Sequence, residues 1–258
     1  MTALTIVTGA SAGLGEGFAT TLAAKGHSLL LVARRQDRLD ALASMLRTKH
    51  NATVETLVAD LAAPDGAAKL LEHVGGRSVG TLVNNAGVGA RGAFSDLDLK
   101  RQTDMVQLNC VTLIEICHGV LPGMIAAKSG GILNVASTAA FQPGPWMAIY
   151  YASKAFVLSF SEALHEEVRE YGVRVAALCP GPTKTEFADA ADMSDSELFK
   201  RFATDPAAVV RDGLAALDSN QAVKVSGVMN AVMAESLRFT PRLLARRLAG
   251  SMQKVRQS

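Results

Sequence analysis

The chain contains few cysteines: three among 258 residues, at Cys110, Cys117 and Cys179. All three lie within apolar segments, and their spacing is not that of metal ligands. An odd number also argues against a framework of disulfide bonds. We therefore expect buried, reduced thiols and no metal site.

The chain also lacks a dominant charge and a long apolar run. Lys and Arg total 26 against 24 for Asp and Glu, so the net charge is only +2 and predicts no nucleic-acid partner. No apolar run reaches the ~20 residues of a membrane span. The first strand pattern begins almost at Met1, which leaves no room for a signal peptide. We expect a cytoplasmic protein without a membrane span.

Hydrophobic residues make up 49% of the chain and charged residues 19%, as in ordinary compact proteins. The length fits one domain over residues 1–258. Short runs rich in β-branched residues alternate with longer helical patterns, as a parallel sheet with crossover helices requires. We predict an α/β, doubly wound Rossmann fold with about seven parallel strands and helices on both faces.

The predicted elements follow from this alternation. The predicted strands are Leu4–Thr8, Ser28–Ala33, Thr53–Val58, Thr81–Asn84, Gly131–Val135, Val173–Leu178 and Val223–Ser226. The predicted helices are Leu14–Lys25, Arg38–Lys49, Ala67–His73, Arg101–Ala127, Ala148–Tyr171 and Pro206–Leu217.

A glycine-rich turn follows the first predicted strand and opens the first helix. Backbone N–H groups at such a turn, together with the helix dipole, can hold a pyrophosphate. The spacing is Gly-x-x-x-Gly-x-Gly, and glycine also serves tight turns, so the motif depends on its position between strand and helix. The predicted cofactor contacts here are Gly9, Ser11, Ala12, Gly13, Leu14 and Gly15.

The residues that select the cofactor's ribose are expected about 20 positions after the glycine turn. Arg34 and Arg35 occupy that place, and arginine pairs bidentately with phosphate oxygens. The nearest acid, Asp37, is expected to cap the following helix. This pattern favours NADP(H) over NAD(H), unless one of the arginines simply faces water.

Two further segments follow the third and fourth strands. Asp60 and Leu61 are placed to hold an adenine ring, although an aspartate at a strand end is often only a turn former. The turn that begins at Asn84 has small residues that let backbone approach a cofactor closely. Its predicted contacts are Asn85, Ala86 and Gly87.

Tyr150 and Lys154 are four residues apart on one predicted helix, so both project from the same face. The ammonium and an oxidised nicotinamide, both cationic, would stabilise a phenolate and lower the pKa of a phenol that ordinarily titrates near ~10. Ser137 would donate a hydrogen bond where negative charge develops on a substrate oxygen. Tyr151, the next residue, also precedes the lysine, by three positions rather than four.

Together these motifs resemble the short-chain dehydrogenase/reductase family, in its compact single-domain branch, over essentially the whole chain. The resemblance adds Asn109 and the segment Pro180-Gly181-Pro182-Thr183-x-Thr185. It implies that Tyr150 is the general acid or base, that Lys154 also binds the nicotinamide ribose, and that Asn109 holds a water linking the lysine to solvent. It further implies nicotinamide contacts from Pro180, Gly181, Thr183 and Thr185.

The leading hypothesis is a reductase that transfers hydride between NADP(H) and a carbonyl or secondary alcohol. The alternative is a regulator that senses NADP(H) without turnover, which would be expected to have lost one of the four residues Asn109, Ser137, Tyr150 and Lys154. A hydrophobic ketone, a 3-oxoacyl compound or a steroid-like molecule is the expected substrate. The apolar residues expected near it are Phe94, Leu97, Phe141, Trp146 and Met147.

Three other features stand outside these motifs. Residues 185–204 form a candidate substrate lid with Phe187, Phe199 and Phe202, which would otherwise pack short helices on the body. The basic tail from Arg238 is expected to be a solvated amphipathic helix, or to meet an acidic partner or a membrane surface. The helices Arg101–Ala127 and Ala148–Tyr171 resemble those through which family members form homodimers or homotetramers.

Overall fold

The computed structural model describes residues 3–192 and 204–254. Seven parallel strands form one sheet in the order β3-β2-β1-β4-β5-β6-β7, which confirms the predicted doubly wound fold. The strands are β1 Leu4–Thr8, β2 Ser28–Ala33, β3 Val54–Val58, β4 Val79–Asn84, β5 Gly130–Val135, β6 Val173–Cys179 and β7 Val223–Val225. Their bounds lie within two residues of the predicted ones at each end.

The helices alternate with the strands along the chain. They are α1 Gly13–Ala24, α2 Gln36–His50, α3 Gly66–Val74, α4 Leu99–Val106, α5 Leu113–Ala126, α6 Ala148–Val168, α7 Glu186–Ala190, α8 Pro206–Asp218, α9 Val228–Ser236 and α10 Arg242–Gln253. Short 3₁₀ turns occupy Thr138–Phe141 and Arg169–Tyr171. The predicted helix Arg101–Ala127 is thus divided into α4 and α5, and a π-helical segment, Gln107–Thr112, joins them.

Each face of the sheet carries its own core. Successive residues of a strand point to opposite faces, so Leu30 and Val32 join one cluster while Leu29 and Leu31 join the other. Helices α3, α5 and α6 cover the first face, and α1, α2 and α8 cover the second. Both faces are therefore buried, which explains why the strands are apolar at nearly every position.

One apolar stretch bears on the expectation that the chain has no membrane span. Within the described ranges, Leu99–Ala126 is long and apolar enough by length and composition, with a mean hydropathy of 1.5 over its best 18 residues. A count of uninterrupted apolar residues does not find this stretch, because a few polar residues interrupt it while they lower its mean hydropathy only slightly. Ile116, Val120 and Met124 from this stretch are buried in the core of the first sheet face.

Two further expectations change with the structure. Helix α2 begins at Gln36 with Arg35 as its N-cap residue, so Asp37 lies in the first turn and is not the cap. Of the candidate lid, residues 193–203 lie outside the described residues, and with them Phe199 and Phe202. The described part contains α7, which carries Phe187.

Candidate active site

The glycine turn lies where the sheet order reverses, between β1 and β4. Strands β2 and β3 continue to one side of β1, and β5 to β7 continue to the other side of β4. The two strand ends are tied together because the Thr8 hydroxyl accepts hydrogen bonds from the backbone N–H groups of Asn85 and Ala86, both at 3.0 Å. The Asn85 side chain donates back to the Thr8 carbonyl at 3.0 Å. Open α/β sheets bind their ligands at this kind of crevice.

The glycines of the turn permit close backbone contacts. Gly9 has φ +65°, and a Cβ atom there would lie 2.9 Å from the Ala86 Cα. A Cβ atom at Gly15 would overlap the Gly9 carbonyl oxygen. The N-cap residue of α1, Ala12, makes no side-chain capping bond. The first N–H groups of a helix have no partner within the helix, so this N-terminus is suited to an anion.

Arg35 is held across the glycine turn by Ser11 and Glu186. Its guanidinium donates to the Ser11 hydroxyl at 3.2 Å and to the Glu186 carboxylate at 2.9 Å. Arg38 lies 3.6 Å from the other oxygen of the same carboxylate. Glu186 begins α7, so an acid from the candidate lid lies at the site predicted to take a phosphate.

Asp60 and Leu61 lie beside the same crevice at the end of β3. The Asp60 carboxylate accepts a hydrogen bond from the backbone N–H of Ala62 at 3.0 Å. This is the turn-forming role that aspartate often has. Leu61 is buried in the core, and the neighbouring Thr112 donates to its carbonyl at 2.8 Å.

Asn109 lies in the π-helical segment, where its side chain is fully occupied by the protein. Its amide oxygen accepts from the Val88 N–H, and its amide nitrogen donates to the Val88 carbonyl and to the Ser153 hydroxyl, all at 3.0 Å. A Cβ atom at Gly87 would lie 3.2 Å from that oxygen and 3.5 Å from Lys154 Nζ. Asn109 thus supports the backbone next to the lysine. Segments of π-helix often occur at functional sites.

Ser137 follows β5 and begins the 3₁₀ turn. Its hydroxyl accepts from the Ala139 N–H at 3.1 Å and lies 3.4 Å from the Pro180 carbonyl, to which it donates. Pro180 starts the proline-glycine segment after β6, so this contact joins two neighbouring strand ends. Farther along that segment, Thr183 donates to the Gly181 carbonyl at 2.9 Å.

Tyr150 and Lys154 are both buried on the first turns of α6. The lysine Nζ lies 5.9 Å from the centroid of the tyrosine ring and donates to the Val135 carbonyl at 2.8 Å. Burial raises the pKa of Tyr150 to about 12, although its hydrogen bond with Ser137 opposes the shift. Burial also lowers the pKa of Lys154 to about 8. The expected lowering of the phenol pKa depends also on the charge of the oxidised nicotinamide, so it stays a prediction.

One cavity of about 760 Å³ joins these groups. Of the predicted site residues, all line it except Gly15, which packs against the backbone of Gly9, and Asn109, which lies behind Gly87 and Val88. The predicted residues in its lining are Gly9, Ser11, Ala12, Gly13, Leu14, Arg34, Arg35, Asp60, Leu61, Asn85, Ala86, Gly87, Ser137, Tyr150, Lys154, Pro180, Gly181, Thr183 and Thr185.

The apolar residues that line the cavity are not the ones expected from the sequence. Phe187 lines it, with its ring centroid 5.7 Å from that of Tyr150. Four of the expected residues instead line a small separate pocket: Phe94, Leu97, Trp146 and Met147. A fifth, Phe141, packs against the core of the first sheet face. Two of the segments that carry them are joined because the backbone N–H of Gly92 donates to the Trp146 carbonyl at 2.8 Å.

Sequence reasoning missed several lining residues near the C-terminus. They are Met233, Ala234 and Leu237 at α9, and Met252 on α10. Tyr151, excluded as the catalytic tyrosine, also lines the cavity, and its hydroxyl accepts a hydrogen bond from Gln253 at 3.2 Å. The helical spacing of apolar residues between Val228 and Leu237 is the signal that could have indicated these contacts.

Comparisons with known proteins agree with this geometry. The family model described as short chain dehydrogenase matches residues 3–195. A very-long-chain 3-oxoacyl-CoA reductase of Bos taurus is 33% identical over 187 residues, which cover 71% of this chain and 60% of that protein. The match therefore spans less than two thirds of that relative's length.

Two solved structures match over nearly their whole length. A short-chain dehydrogenase from Sphingobium yanoikuyae in complex with NADPH has a TM-score of 0.84 and 31% identity, covering 99% of this chain and 97% of that one. A bulky-bulky ketone specific alcohol dehydrogenase from Comamonas testosteroni has a TM-score of 0.81 and 29% identity, covering 99% and 96%. The chain belongs to the short-chain dehydrogenase family.

Proposed function

We propose that this protein transfers a hydride between NADP(H) and a carbonyl or secondary-alcohol substrate. The observation that carries the proposal is the convergence of Ser137, Tyr150 and Lys154 in one cavity with the glycine turn. Ser137 follows β5 whereas Tyr150 and Lys154 lie on α6, and together they supply a proton donor, an oxyanion partner and a cation. The family membership supports the same reaction class.

The residues present fit a dinucleotide. Gly9 and Gly15 leave no side chain between the turn and its neighbours, and the N-terminus of α1 has no side-chain cap. The pyrophosphate would bind there, the adenine beside Asp60 and Leu61, and the nicotinamide near the Pro180–Thr185 segment. When bound, the cofactor supplies the hydride.

The protein's own part is proton transfer to the substrate oxygen. With a pKa of about 12, Tyr150 is protonated at neutral pH and can act as the acid in carbonyl reduction. With a pKa of about 8, Lys154 is mostly cationic there and stabilises the phenolate that remains. Ser137, hydrogen-bonded to the phenol, would donate to the same substrate oxygen.

Selection of NADP(H) over NAD(H) is proposed to rest on Arg34 and Arg35. Both line the cavity after β2, where the family fold places the ribose that carries the 2′-phosphate. In the chain alone, Arg35 has Glu186 as its anionic partner. A 2′-phosphate would replace this carboxylate, since it brings more charge and more acceptor oxygens.

We predict that replacing both Arg34 and Arg35 with Ala weakens NADPH binding by at least about 150-fold, since each of the two lost charged hydrogen bonds costs about 1.5–3 kcal/mol and every 1.4 kcal/mol is about tenfold. NADH binding should change by less than about threefold because NADH lacks the 2′-phosphate. Fluorescence titration with both cofactors measures the two affinities.

Glu186→Gln is the converse variant, because it removes the carboxylate that competes with the 2′-phosphate for Arg35. The Arg35–Glu186 ion pair is exposed. This substitution should tighten NADPH binding by roughly threefold, in line with the small worth of such pairs. Arg169→Ala, an exposed arginine paired with Glu166, serves as the control. Equal losses for NADPH and NADH in the Arg34/Arg35 variant would contradict phosphate recognition.

The substrate is proposed to be a hydrophobic ketone or 3-oxoacyl compound. Beyond Tyr150 the cavity is lined by apolar side chains, namely Phe187, Met233, Leu237 and Met252. The printed names of two similar proteins, a very-long-chain 3-oxoacyl-CoA reductase and a bulky-bulky ketone specific alcohol dehydrogenase, point the same way. Apolar cavities of this size suit medium or large organic ligands.

The direct test follows NADPH and NADH absorbance against hydrophobic ketones, 3-oxoacyl thioesters and sugars. NADPH consumption with members of the first two groups supports the proposal, and a preference for sugars contradicts the substrate class. Tight NADPH binding with no turnover on any compound would favour the sensor alternative.

We also propose that the protein forms a homodimer or homotetramer through α4, α5 and α6. On α6, Phe156 and Phe160 stack with ring centroids 6.0 Å apart, and Phe156 is exposed. Leu99 and Val106 of α4 are exposed as well. An exposed aromatic side chain supported by a second, partly buried ring can anchor a symmetric interface.

We predict that Phe156→Asp converts the oligomer to a monomer, with a dissociation constant at least about 100-fold higher, because a buried aromatic anchor is replaced by a charge. Sedimentation velocity across a concentration series measures this change. Phe239→Asp, at another exposed phenylalanine, should leave the oligomer intact. A monomeric unmodified chain would refute the proposal.

A further inference from the structure

The C-terminal part of the chain forms a surface that combines exposed apolar side chains with arginines. Here it is called the basic apolar face, and it spans Val228–Lys254. Val228 is 84% exposed and Phe239 is 89% exposed, which is unusual for large apolar residues. The other exposed apolar residues of this face are Met229, Val232, Leu243, Leu244 and Leu248. Exposed apolar residues concentrated in one part of a protein are typical of interaction sites.

Helix α10 divides its residues between the protein and the solvent. Ala245, Ala249 and Gln253 are buried at a spacing of four residues, so this stripe faces the body. Leu244 and Leu248 lie one turn apart and are both exposed. The arginines Arg242, Arg246 and Arg247 occupy other exposed positions of the same helix. Exposed leucines beside basic residues are typical of a helix that lies in a membrane interface.

The charge of the face indicates an anionic partner. Within the face the one acidic residue, Glu235, pairs with Arg238 at 3.3 Å, whereas five basic residues lie there: Arg238, Arg242, Arg246, Arg247 and Lys254. A second copy of the chain is a poor occupant, because a two-fold contact pairs the same face on both copies and would bring two positively charged surfaces together. The proposed oligomer surface, with Phe156 and Phe160, is on a different helix.

The face adjoins the active-site cavity. Met233, Leu237 and Met252 line the cavity, and Met233 is also partly exposed. The end of α10 is fixed to the body because the Arg91 guanidinium donates to the Gln253 and Lys254 carbonyls at 2.8 and 3.0 Å. A partner bound to this face would therefore lie beside the route to Tyr150.

We propose that the basic apolar face docks on the surface of an anionic lipid bilayer. The apolar side chains would enter the interface while the arginines contact lipid phosphates. The bilayer would then present apolar substrates at the cavity. Docking itself does not depend on the proposed reaction, whereas delivery of substrate rests on it.

The test is co-sedimentation of the full chain with two kinds of vesicle, phosphatidylcholine alone and phosphatidylcholine with phosphatidylglycerol. We expect at least about tenfold stronger binding to the anionic vesicles, decreasing as salt screens the charges. NADPH turnover of a small water-soluble ketone, measured without vesicles, reports the reaction separately.

Two variants locate the surface. Arg246→Gln with Arg247→Gln should weaken anionic-vesicle binding about twenty- to thirtyfold, since each basic residue near the surface contributes about a factor of five. Phe239→Ser should weaken it about tenfold by removing an apolar anchor. Arg169→Gln is the control, an exposed arginine elsewhere on the molecule. Circular dichroism and turnover without vesicles should remain unchanged in all three.

Equal binding to both kinds of vesicle, or binding to neither, would overturn the proposal. So would loss of oligomerisation in Phe239→Ser, because it would show that a second copy covers the face. If the chain binds anionic vesicles but turns over no ketone, the docking proposal stands and the proposed reaction is refuted.

Discussion

Tyr150→Phe is expected to lower kcat for ketone reduction by about 10³-fold while NADPH binding changes by less than about threefold. The substitution removes only the hydroxyl, and general acid catalysis of this kind contributes about 10²–10⁴-fold. The ring contacts to Phe187 and Tyr151, at centroid distances of 5.7 and 6.1 Å, remain. Steady-state kinetics with saturating NADPH and fluorescence titration measure the two quantities.

Tyr151→Phe is the matched control, since it removes a neighbouring phenol from the same helix. That hydroxyl accepts a hydrogen bond from Gln253, so turnover should stay within about tenfold of the unmodified enzyme. The reverse ranking of the two variants would show that Tyr151 supplies the proton. Retention of more than about a tenth of the activity in Tyr150→Phe would exclude its phenol as the main acid.

Lys154→Met is expected to lower activity by about 10²- to 10³-fold and to stabilise the chain in the absence of cofactor. Activity falls because the cation that supports the phenolate is lost. Stability rises because burial opposes the charged amine, which lowers the pKa of Lys154 from 10.5 to about 8. That shift costs the folded chain roughly 3 kcal/mol. Loss of the hydrogen bond to Val135 offsets part of the gain.

The pH dependence of this stabilisation has a definite sign. Below about pH 8 the Lys154 amine is charged in both the folded and the unfolded chain. The folded unmodified chain therefore carries the whole free-energy cost of burying that charge. Between about pH 8 and 10.5 the unfolded chain binds more protons, so the stability of the unmodified chain rises with pH. The advantage of Lys154→Met should therefore be largest near neutral pH and shrink as the pH approaches 10.

Thermal unfolding at several pH values measures this difference. At pH 7 the midpoint of Lys154→Met should lie about 4–8 °C above that of the unmodified chain, for a net gain of about 2 kcal/mol. Lys25→Met, which removes an exposed lysine paired with Asp218, should shift it little at any pH. A midpoint below that of the unmodified chain at pH 7 would show that burial does not penalise the Lys154 ammonium.

The strands and the order of the motifs could be predicted because their signals are local. β1 and β2 have their predicted bounds, since a buried parallel strand is a short apolar run between turn residues. The division of the helix around Asn109 has no such local signal. It depends on bonds to Val88 and Ser153, which come from other elements.

Long-range contacts account for the other differences. The ion pair between Arg35 and Glu186 joins residues 151 positions apart, so no local pattern indicates it. Phe94 and Trp146 have the composition of pocket residues, yet the fold places them at a small separate pocket and not at the active-site cavity. Met252 reaches the cavity because α10 packs back against the active-site helix.

The sequence by itself determined the alternation of strands and helices, the turn chemistry and the residue types available for catalysis, because each depends on neighbours within a few positions. Only the tertiary structure decided which side chains share the cavity and how burial changes the pKa values of Tyr150 and Lys154. A pKa depends on solvent exclusion by every element packed around the group, and that packing exists only once distant segments have come together.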